Sequence, residues 1–162
     1  MSDISPPKGD GFAAFIATNT EIVLPPLVPE INLRLATEIT PIWQATETEL
    51  QEIGIPPPFW AFCWPGGQAL ARYVLDNPDI VRGKRVLEFA AGGAVSGIAA
   101  AMADAAQVIA NDIDAMAVAA AQTNAALNGV TLIPSTENYL MRDTPSGCDV
   151  ILAGDIFYEQ SP

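Results

Sequence analysis

The stretch RVLEFAAGGAVSGIAAAMA, from Arg85 to Ala103, decides the fold of this chain. Val86 to Phe89 has the apolar character of a buried strand, Ala90 to Ala94 is a turn of small residues, and a helix of small apolar residues follows. A strand that enters a glycine-rich turn and then a helix brings backbone N–H groups to the helix N-terminus, close to a bound ligand. The stretch therefore predicts a nucleoside pocket at the end of a parallel strand.

Strands and helices alternate after this stretch. Gln107 to Asn111 predicts a second buried strand, and Asp114 is a suitable N-cap for a helix from Ala115 to Leu127. Thr131 to Ile133 and Asp149 to Ala153 predict a third and a fourth strand. Near-continuous apolar strands separated by helices indicate an α/β protein with a doubly wound, mostly parallel sheet.

The chain before the stretch divides at a proline run that ends at Pro58. Residues 1–57 are predicted to form an N-terminal extension or lid, and residues 58–162 the ligand-binding domain. A Pro-Gly-Gly turn is predicted before a helix from Gln68 to Leu75. The extension is predicted to contain a helix, two strands and a second helix, over Phe12–Thr18, Thr20–Leu24, Ile31–Leu35 and Glu47–Ile53.

The composition excludes several classes of site. The 162 residues carry a net charge of −12 and no histidine, which rules out an imidazole base and histidine metal ligands. No basic patch predicts nucleic-acid binding, and Cys63 and Cys148 flank no metal-ligand pattern, so we predict no metal. We expect no membrane span and no secretory signal, hence a cytoplasmic protein. The acidic surface suits a partner that presents lysine, or serves solubility alone.

Acidic residues around the turn bear on the cofactor. Asp112 follows Gly92 by twenty positions, a spacing that suits ribose hydroxyls in either NAD or S-adenosylmethionine sites. Glu88 lies inside the strand, where it favours the cationic methionine end of S-adenosylmethionine, although it could serve only as a helix-dipole partner. Small residues from Ala90 onward leave room for that moiety, and GGAVSG lacks the G-x-G-x-x-G spacing of a pyrophosphate site. We predict S-adenosylmethionine, with an NAD-dependent oxidoreductase as the alternative.

Five segments together resemble one family: PFWAFCWPGGQAL, LDNPD, VLEFAAGGAVSGIAAAMA, ANDID and GDIFY. They are similar to the seven-strand lysine methyltransferases of the electron transfer flavoprotein β-subunit, which are related to enzymes that modify ribosomal proteins. The resemblance implies a Rossmann-like class I methyltransferase fold and S-adenosylmethionine-dependent protein-lysine N-methylation. The implied substrate is the electron transfer flavoprotein β-subunit or a ribosomal protein.

The resemblance also implies site residues. Asp155, Phe157 and Tyr158 of the D-x-F-Y segment would border the reacting methyl group and the incoming lysine. Asp155 would orient the amine, or it could be a structural cap on the loop after the fourth strand. The implied cofactor-binding residues are Glu88, Ala90, Gly92, Asp112, Trp64 and Asn138. Trp60 and Trp64 either wall a substrate channel or pack in the core.

Two departures from the family pattern are visible. Ala94 stands where the motif usually has glycine; a positive φ there would cost about 1 kcal/mol, and we expect a harmless helical φ instead. A complete seven-strand enzyme needs three further strands, so we expect a chain truncated after the fourth strand. A third hypothesis follows, namely a non-catalytic binding module that kept the fold.

Overall fold

The structure is a computed structural model and describes residues 11–45, 47–52, 54–141 and 143–156. The first elements are α1 (Phe12–Asn19), β1 (Glu21–Val23), β2 (Leu33–Leu35), α2 (Pro41–Gln44) and α3 (Glu47–Glu52). A 3₁₀ turn over Phe59–Ala61 precedes α4 (Pro65–Asp76), and another over Pro78–Ile80 follows it. The remaining elements are β3 (Arg85–Phe89), α5 (Val95–Met102), β4 (Gln107–Asn111), α6 (Ala115–Leu127), β5 (Ile133–Ser135) and β6 (Val150–Ala153).

A parallel sheet is the centre of the described fold, with strand order β5-β4-β3-β6. Val86 of β3 is in register with Val108 of β4 on one side and with Val150 of β6 on the other. The chain moves from β3 outward through β4 to β5 and then returns to the far side of β3. The predicted α/β, doubly wound sheet is confirmed. The reversal of strand order places a ligand crevice at the carboxyl end of β3.

Small side chains let α5 pack closely on the sheet. Ile98, Ala99 and Ala100 of α5 are fully buried, in one hydrophobic cluster with Val86 of β3. Val28, Ile31, Leu33 and Leu35, from the N-terminal part, belong to this same cluster. Each large apolar side chain buried in this way contributes roughly 1.5–3 kcal/mol. The N-terminal part and the sheet thus share a core, while the division at residue 57 stays a prediction.

Asn124 of α6 and Asn128, which caps the C-terminus of α6, attach β2 to the rest of the fold. The backbone N–H groups of Asn32 and Arg34 donate to Oδ1 of Asn128 and of Asn124, each at 2.8 Å. Asn128 Nδ2 returns a hydrogen bond to the carbonyl of Asn32 at 2.7 Å. The side-chain amides therefore satisfy an edge of β2, a strand whose other edge pairs with β1.

Several element boundaries differ from the sequence prediction. Helix α4 begins at Pro65 rather than Gln68, so Pro-Gly-Gly is its first turn and not a turn before it. Proline suits the first helical position, because its missing N–H would have no partner there anyway. Strand β5 starts at Ile133, where pairing with Ile109 of β4 begins. Among the described residues, no helix is both long enough and apolar enough to cross a bilayer.

Candidate active site

A cavity of about 900 Å³ opens at the carboxyl ends of the parallel strands. Its walls come from the turn after β3, from residues 112–114 after β4, from residues 153–156 after β6 and from the aromatic segment 56–64. Leu33 and Leu35 of β2 close another side. The volume lies within the range of small-molecule and cofactor sites. The position is the one that the strand order predicts for a ligand.

The charges around this cavity have one sign. Four carboxylates line it, those of Glu88, Asp112, Asp114 and Asp155, and no lysine or arginine is among its described lining residues. The basic segment from Arg82 to Arg85 lies at the amino end of β3, whereas the cavity lies at the carboxyl ends of the strands. A cavity with this potential favours a cationic ligand over a phosphate.

Glu88 is buried, with 4% of its surface exposed, at the end of β3 next to α5. Its Oε1 accepts hydrogen bonds from the Ser96 backbone N–H at 3.1 Å and from Ser96 Oγ at 2.5 Å. Its Oε2 lies against Gly97 of α5 and has almost no exposed surface. Burial raises the pKa of Glu88 to about 7, although hydrogen bonds from Ser96 and from the Gly97 backbone oppose the shift. The helix-dipole alternative thus has structural support.

The turn between β3 and α5 has left-handed backbone at Ala90 (φ 53°), Gly92 (φ 50°) and Ala94 (φ 62°). The prediction of a helical φ at Ala94 is therefore wrong. The Ala91 N–H donates to the Asn111 carbonyl at 2.9 Å and the Ala94 N–H to the Ala91 carbonyl at 2.7 Å, which fixes the turn tightly between strand and helix. For an alanine this conformation costs about 1 kcal/mol.

Asp112 joins that turn to the start of α6. Its Oδ2 accepts from the Gly92 N–H at 2.9 Å, and its Oδ1 accepts from the Asp114 N–H at 3.0 Å. Asp114 in turn caps α6, because its Oδ1 accepts from the Met116 N–H at 2.8 Å, as predicted. Burial, followed by the neighbouring charge of Asp112, raises the pKa of Asp114. Gly92 and Asp112, twenty positions apart in sequence, are thus joined by a hydrogen bond at the rim of the cavity.

Asp155 contacts the first turn of α4 rather than open space. Its Oδ1 accepts from the Gly66 N–H at 3.0 Å and its Oδ2 from the Gly67 N–H at 2.7 Å. The W-P-G-G and D-x-F-Y segments, far apart in sequence, therefore meet at one point. The alternative of Asp155 as a structural cap has support here. Phe157 and Tyr158 lie outside the described residues.

The two predicted tryptophans occupy different environments. Trp60 is 3% exposed and packs in a second core cluster, yet part of it borders the cavity. Trp64 is 46% exposed, directly before α4, and its Nε1 donates to the Phe59 carbonyl at 3.0 Å. The Trp64 ring lies 6.3 Å from that of Phe59 and 6.0 Å from that of Phe62, centroid to centroid. We call Phe59, Phe62 and Trp64, which all line the cavity, the aromatic wall.

The comparisons with known proteins agree with this geometry. A family model described as ribosomal protein L11 methyltransferase matches residues 68–157. The chain belongs to the L11 methyltransferase family. The electron transfer flavoprotein β-subunit lysine methyltransferase of Danio rerio is 43% identical over 154 residues, covering 94% of this chain and 58% of the relative. The homologue from Caenorhabditis elegans is 34% identical over 167 residues, covering 94% of this chain and 67% of the relative. The predicted resemblance is confirmed.

The chain spans little more than half the length of the vertebrate relatives it matches, 58% in the case of Danio rerio. A solved structure, described as a SAM-dependent methyltransferase from Streptococcus mutans, superposes with a TM-score of 0.53 at 12% sequence identity. The superposition covers 75% of this chain and 27% of the Streptococcus mutans protein. At this identity the likeness concerns the fold alone, and it agrees with the class I methyltransferase fold of this L11 methyltransferase family member.

The predicted site residues of this family member are only partly brought together. Glu88, Ala90, Gly92, Asp112, Trp64 and Asp155 all line the cavity. Asn138 does not: it is exposed on the loop after β5, and its Oδ1 accepts from the Leu140 N–H at 3.1 Å. Sequence analysis missed Asn124, which is fully buried in α6 and whose Nδ2 donates to the Gly93 carbonyl at 3.0 Å. The sequence did offer one signal for it, because Asn124 is the one asparagine within the alanine-rich helix α6.

Two further features of the described part of the chain concern metal ligands and cysteine chemistry. No group of three potential metal ligands occurs among the described residues. Burial raises the pKa of Cys63, which lines the cavity, to about 12, with the charges of Glu88 and Asp155 adding to the effect. The thiolate is the nucleophilic form of cysteine, so Cys63 is poorly suited to covalent catalysis at neutral pH.

Proposed function

We propose that this chain binds S-adenosylmethionine and serves protein-lysine N-methylation. The observation that carries the proposal is the cavity at the carboxyl ends of β3, β4 and β6, which carboxylates line without any described basic side chain. Membership of the L11 methyltransferase family supports the reaction class. A dinucleotide with its anionic pyrophosphate suits the same cavity poorly, which weighs against the oxidoreductase alternative.

The residues present fit this cofactor. S-adenosylmethionine carries a sulfonium and an ammonium, and Glu88 offers a buried carboxylate in the cavity wall. Asp112 stands at the rim, where its carboxylate would hold the ribose hydroxyls. Ala90 and Gly92 would present backbone to the methionine end. An added Cβ at Gly93 would lie 3.2 Å from the Trp60 carbonyl, so this side of the cavity leaves little room for larger residues.

When bound, the cofactor supplies an electrophilic methyl group, and the chain supplies alignment. The aromatic wall gives the incoming amine an apolar surface to lie against, and methyl transfer requires the lysine in its neutral, nucleophilic form. Phe157 and Tyr158 are proposed from the family resemblance alone to border the amine. This scheme requires neither a metal nor histidine.

The substrate is proposed from the relatives. The Danio rerio relative is named as a lysine methyltransferase of the electron transfer flavoprotein β-subunit, and the family model is named for ribosomal protein L11. A net charge of −12 suits a partner that presents lysines, whereas it disfavours nucleic acid and anionic membrane surfaces. We retain the flavoprotein β-subunit as the first candidate and a ribosomal protein as the second. The cytoplasmic location stays a prediction.

Calorimetry with S-adenosylmethionine and S-adenosylhomocysteine tests the cofactor. Asp112→Ala should weaken binding by about 10- to 100-fold, the value of a charge-assisted hydrogen bond. Asp112→Asn keeps one acceptor oxygen and should lose less, and the exposed Glu38→Ala serves as control. Saturable heat with NADH but with neither methionine-based ligand would favour the oxidoreductase.

Labelled methyl transfer tests the activity. The chain is incubated with labelled S-adenosylmethionine and either the flavoprotein β-subunit or ribosomal protein L11, and modified lysines are located by mass spectrometry. Label on the flavoprotein alone would select the first candidate. A chain that binds cofactor and the flavoprotein but transfers no label would instead be a non-catalytic module.

A further inference from the structure

Asp155 supplies a helix cap that α4 lacks in its own sequence. Trp64 occupies the N-cap position of α4, and its side chain makes no capping hydrogen bond. The second and third residues of the helix, Gly66 and Gly67, have N–H groups with no intrahelical partner. Both donate to the Asp155 carboxylate, from 89 and 88 positions away in sequence. A carboxylate is also the group that the positive end of a helix dipole favours.

Two glycines, Gly66 and Gly154, make this contact possible. A Cβ on Gly66 would lie 2.7–2.8 Å from the three carboxylate atoms of Asp155. A Cβ on Gly154 would lie 2.8 Å from the Gly67 nitrogen and 3.1 Å from the Gly66 carbonyl carbon. Distances below 3.0 Å force atoms to move, so only glycine lets these two backbones approach. The glycines of W-P-G-G and the G-D pair after β6 are therefore parts of one contact.

We propose that Asp155 is a positioning residue that fixes the aromatic wall by tying the end of β6 to the first turn of α4. Trp64 directly precedes that turn and donates to the Phe59 carbonyl, so a displaced α4 would carry Trp64 away from Phe59. Asp155 itself has a positive φ of 53°, an unfavourable conformation that the two hydrogen bonds help to hold. Both carboxylate oxygens are engaged, and the amine is aligned by the wall rather than by Asp155.

The proposal deepens the proposed function, and its first test does not depend on that function. The full chain is labelled with 5-fluorotryptophan, and the ¹⁹F resonances of its three tryptophans are assigned with Trp60→Phe and Trp64→Phe. Asp155→Ala should shift or broaden the Trp64 resonance and leave that of the buried Trp60 in place. Gly66→Ala keeps the carboxylate but obstructs its approach, so it should change the Trp64 resonance in the same way. An unchanged Trp64 resonance in both variants would overturn the proposal.

Methyl transfer provides the second test. Asp155→Ala and Gly66→Ala should each lower kcat/KM, by up to about tenfold where the free energy of the lost cap goes entirely into displacing the aromatic wall. The double variant should be no slower than either single one, because both changes break the same contact. Asp155→Asn keeps one acceptor oxygen and tolerates the left-handed backbone, so it should recover part of the rate and remain folded if Asp155→Ala does not.

An amine-binding Asp155 predicts different kinetics. The two single effects would then multiply, Asp155→Asn would be as slow as Asp155→Ala, and the pH profile of kcat would change with the charge at residue 155. Any of these outcomes would overturn the positioning role. If the wild-type chain transfers no methyl group, the proposed function fails, while the ¹⁹F experiment still decides whether Asp155 holds α4.

Discussion

Replacing Glu88 by glutamine should remove a pH dependence from the stability of this protein. The substitution keeps the shape of the side chain and keeps an oxygen for the two hydrogen bonds from Ser96, but it removes the ionisable group. In the folded chain, burial raises the pKa of Glu88 from its ordinary value of 4.5 to about 7. In the unfolded chain the carboxyl is solvated and titrates near the ordinary value.

The sign and the size of the effect follow from these two pKa values. Between pH 4.5 and about 7 the folded state holds a proton that the unfolded state has released. The free energy of unfolding therefore falls as pH rises through this window, and the contribution present below pH 4.5 is lost above about pH 7. A raised pKa of this size corresponds to a loss of about 3 kcal/mol, at 1.36 kcal/mol for each unit.

Urea denaturation from pH 5 to pH 8 measures the effect. Wild type should lose stability relative to Glu88→Gln as pH rises, so that the variant is the more stable protein at pH 8. Glu38→Gln, at an exposed glutamate, should run parallel to wild type. Parallel curves for wild type and Glu88→Gln would refute the reasoning, since Glu88 would then carry no proton in the folded state near neutral pH. If the ammonium of the cofactor lies beside Glu88, wild-type cofactor affinity should also increase with pH, because Glu88 becomes ionised as pH rises through about 7.

Three other substitutions have expected outcomes that urea denaturation measures. Ala94→Gly should raise the free energy of unfolding by about 0.5–1 kcal/mol by relieving the left-handed alanine, whereas the control Ala101→Gly, inside α5, should lower it by about as much. Asn124→Ala should lower it by about 2–4 kcal/mol, because the Gly93 carbonyl loses its side-chain partner in a buried site, and calorimetry should show weaker cofactor binding. Gly97→Ala should cost about 1–3 kcal/mol, because its Cβ would meet Oε2 of Glu88.

The central elements of the fold could be predicted from the sequence because their signals are local. Strand β4 has its predicted bounds, β3 begins one residue earlier, and Asp114 caps α6 as expected. Each depends on an apolar run or on a side chain next to the helix it caps. The start of α4 could not be predicted in this way. Its glycines suggested a turn, whereas they serve contact with a residue that β6 brings from nearly ninety positions away.

The site shows the same limit. Acidic residues at strand ends were predictable because parallel strands bring their carboxyl ends to one edge of the sheet. The loop after β5 is fixed by contacts that the sequence does not reveal, and it places Asn138 outside the cavity lining. The left-handed backbone at Ala94 depends on hydrogen bonds across the turn, so the residue type alone could not show it. Asn124 acts through Gly93 and Arg34, two contacts distant in sequence.

The carboxylates of the cavity share one structural role, which changes how mutants of this site must be interpreted. Each accepts a hydrogen bond from a backbone N–H group in a turn or at the start of a helix. The acceptor and donor residues are Glu88 with Ser96, Asp112 with Gly92, Asp114 with Met116, and Asp155 with Gly66 and Gly67. Backbone dipoles rather than basic side chains thus balance the acidic cavity.

Removing any of these acids therefore disturbs an element that shapes the cavity, and a lost activity alone cannot assign a catalytic role. Glu88 differs from the others, because it is buried and its pKa is raised to about 7. A cationic ligand group beside this carboxyl would favour its ionised form and gain a charge-assisted interaction. Glu88→Gln removes the charge and leaves the Ser96 contact. Measurements of cofactor binding to this variant therefore test the proposed cofactor site independently of catalysis.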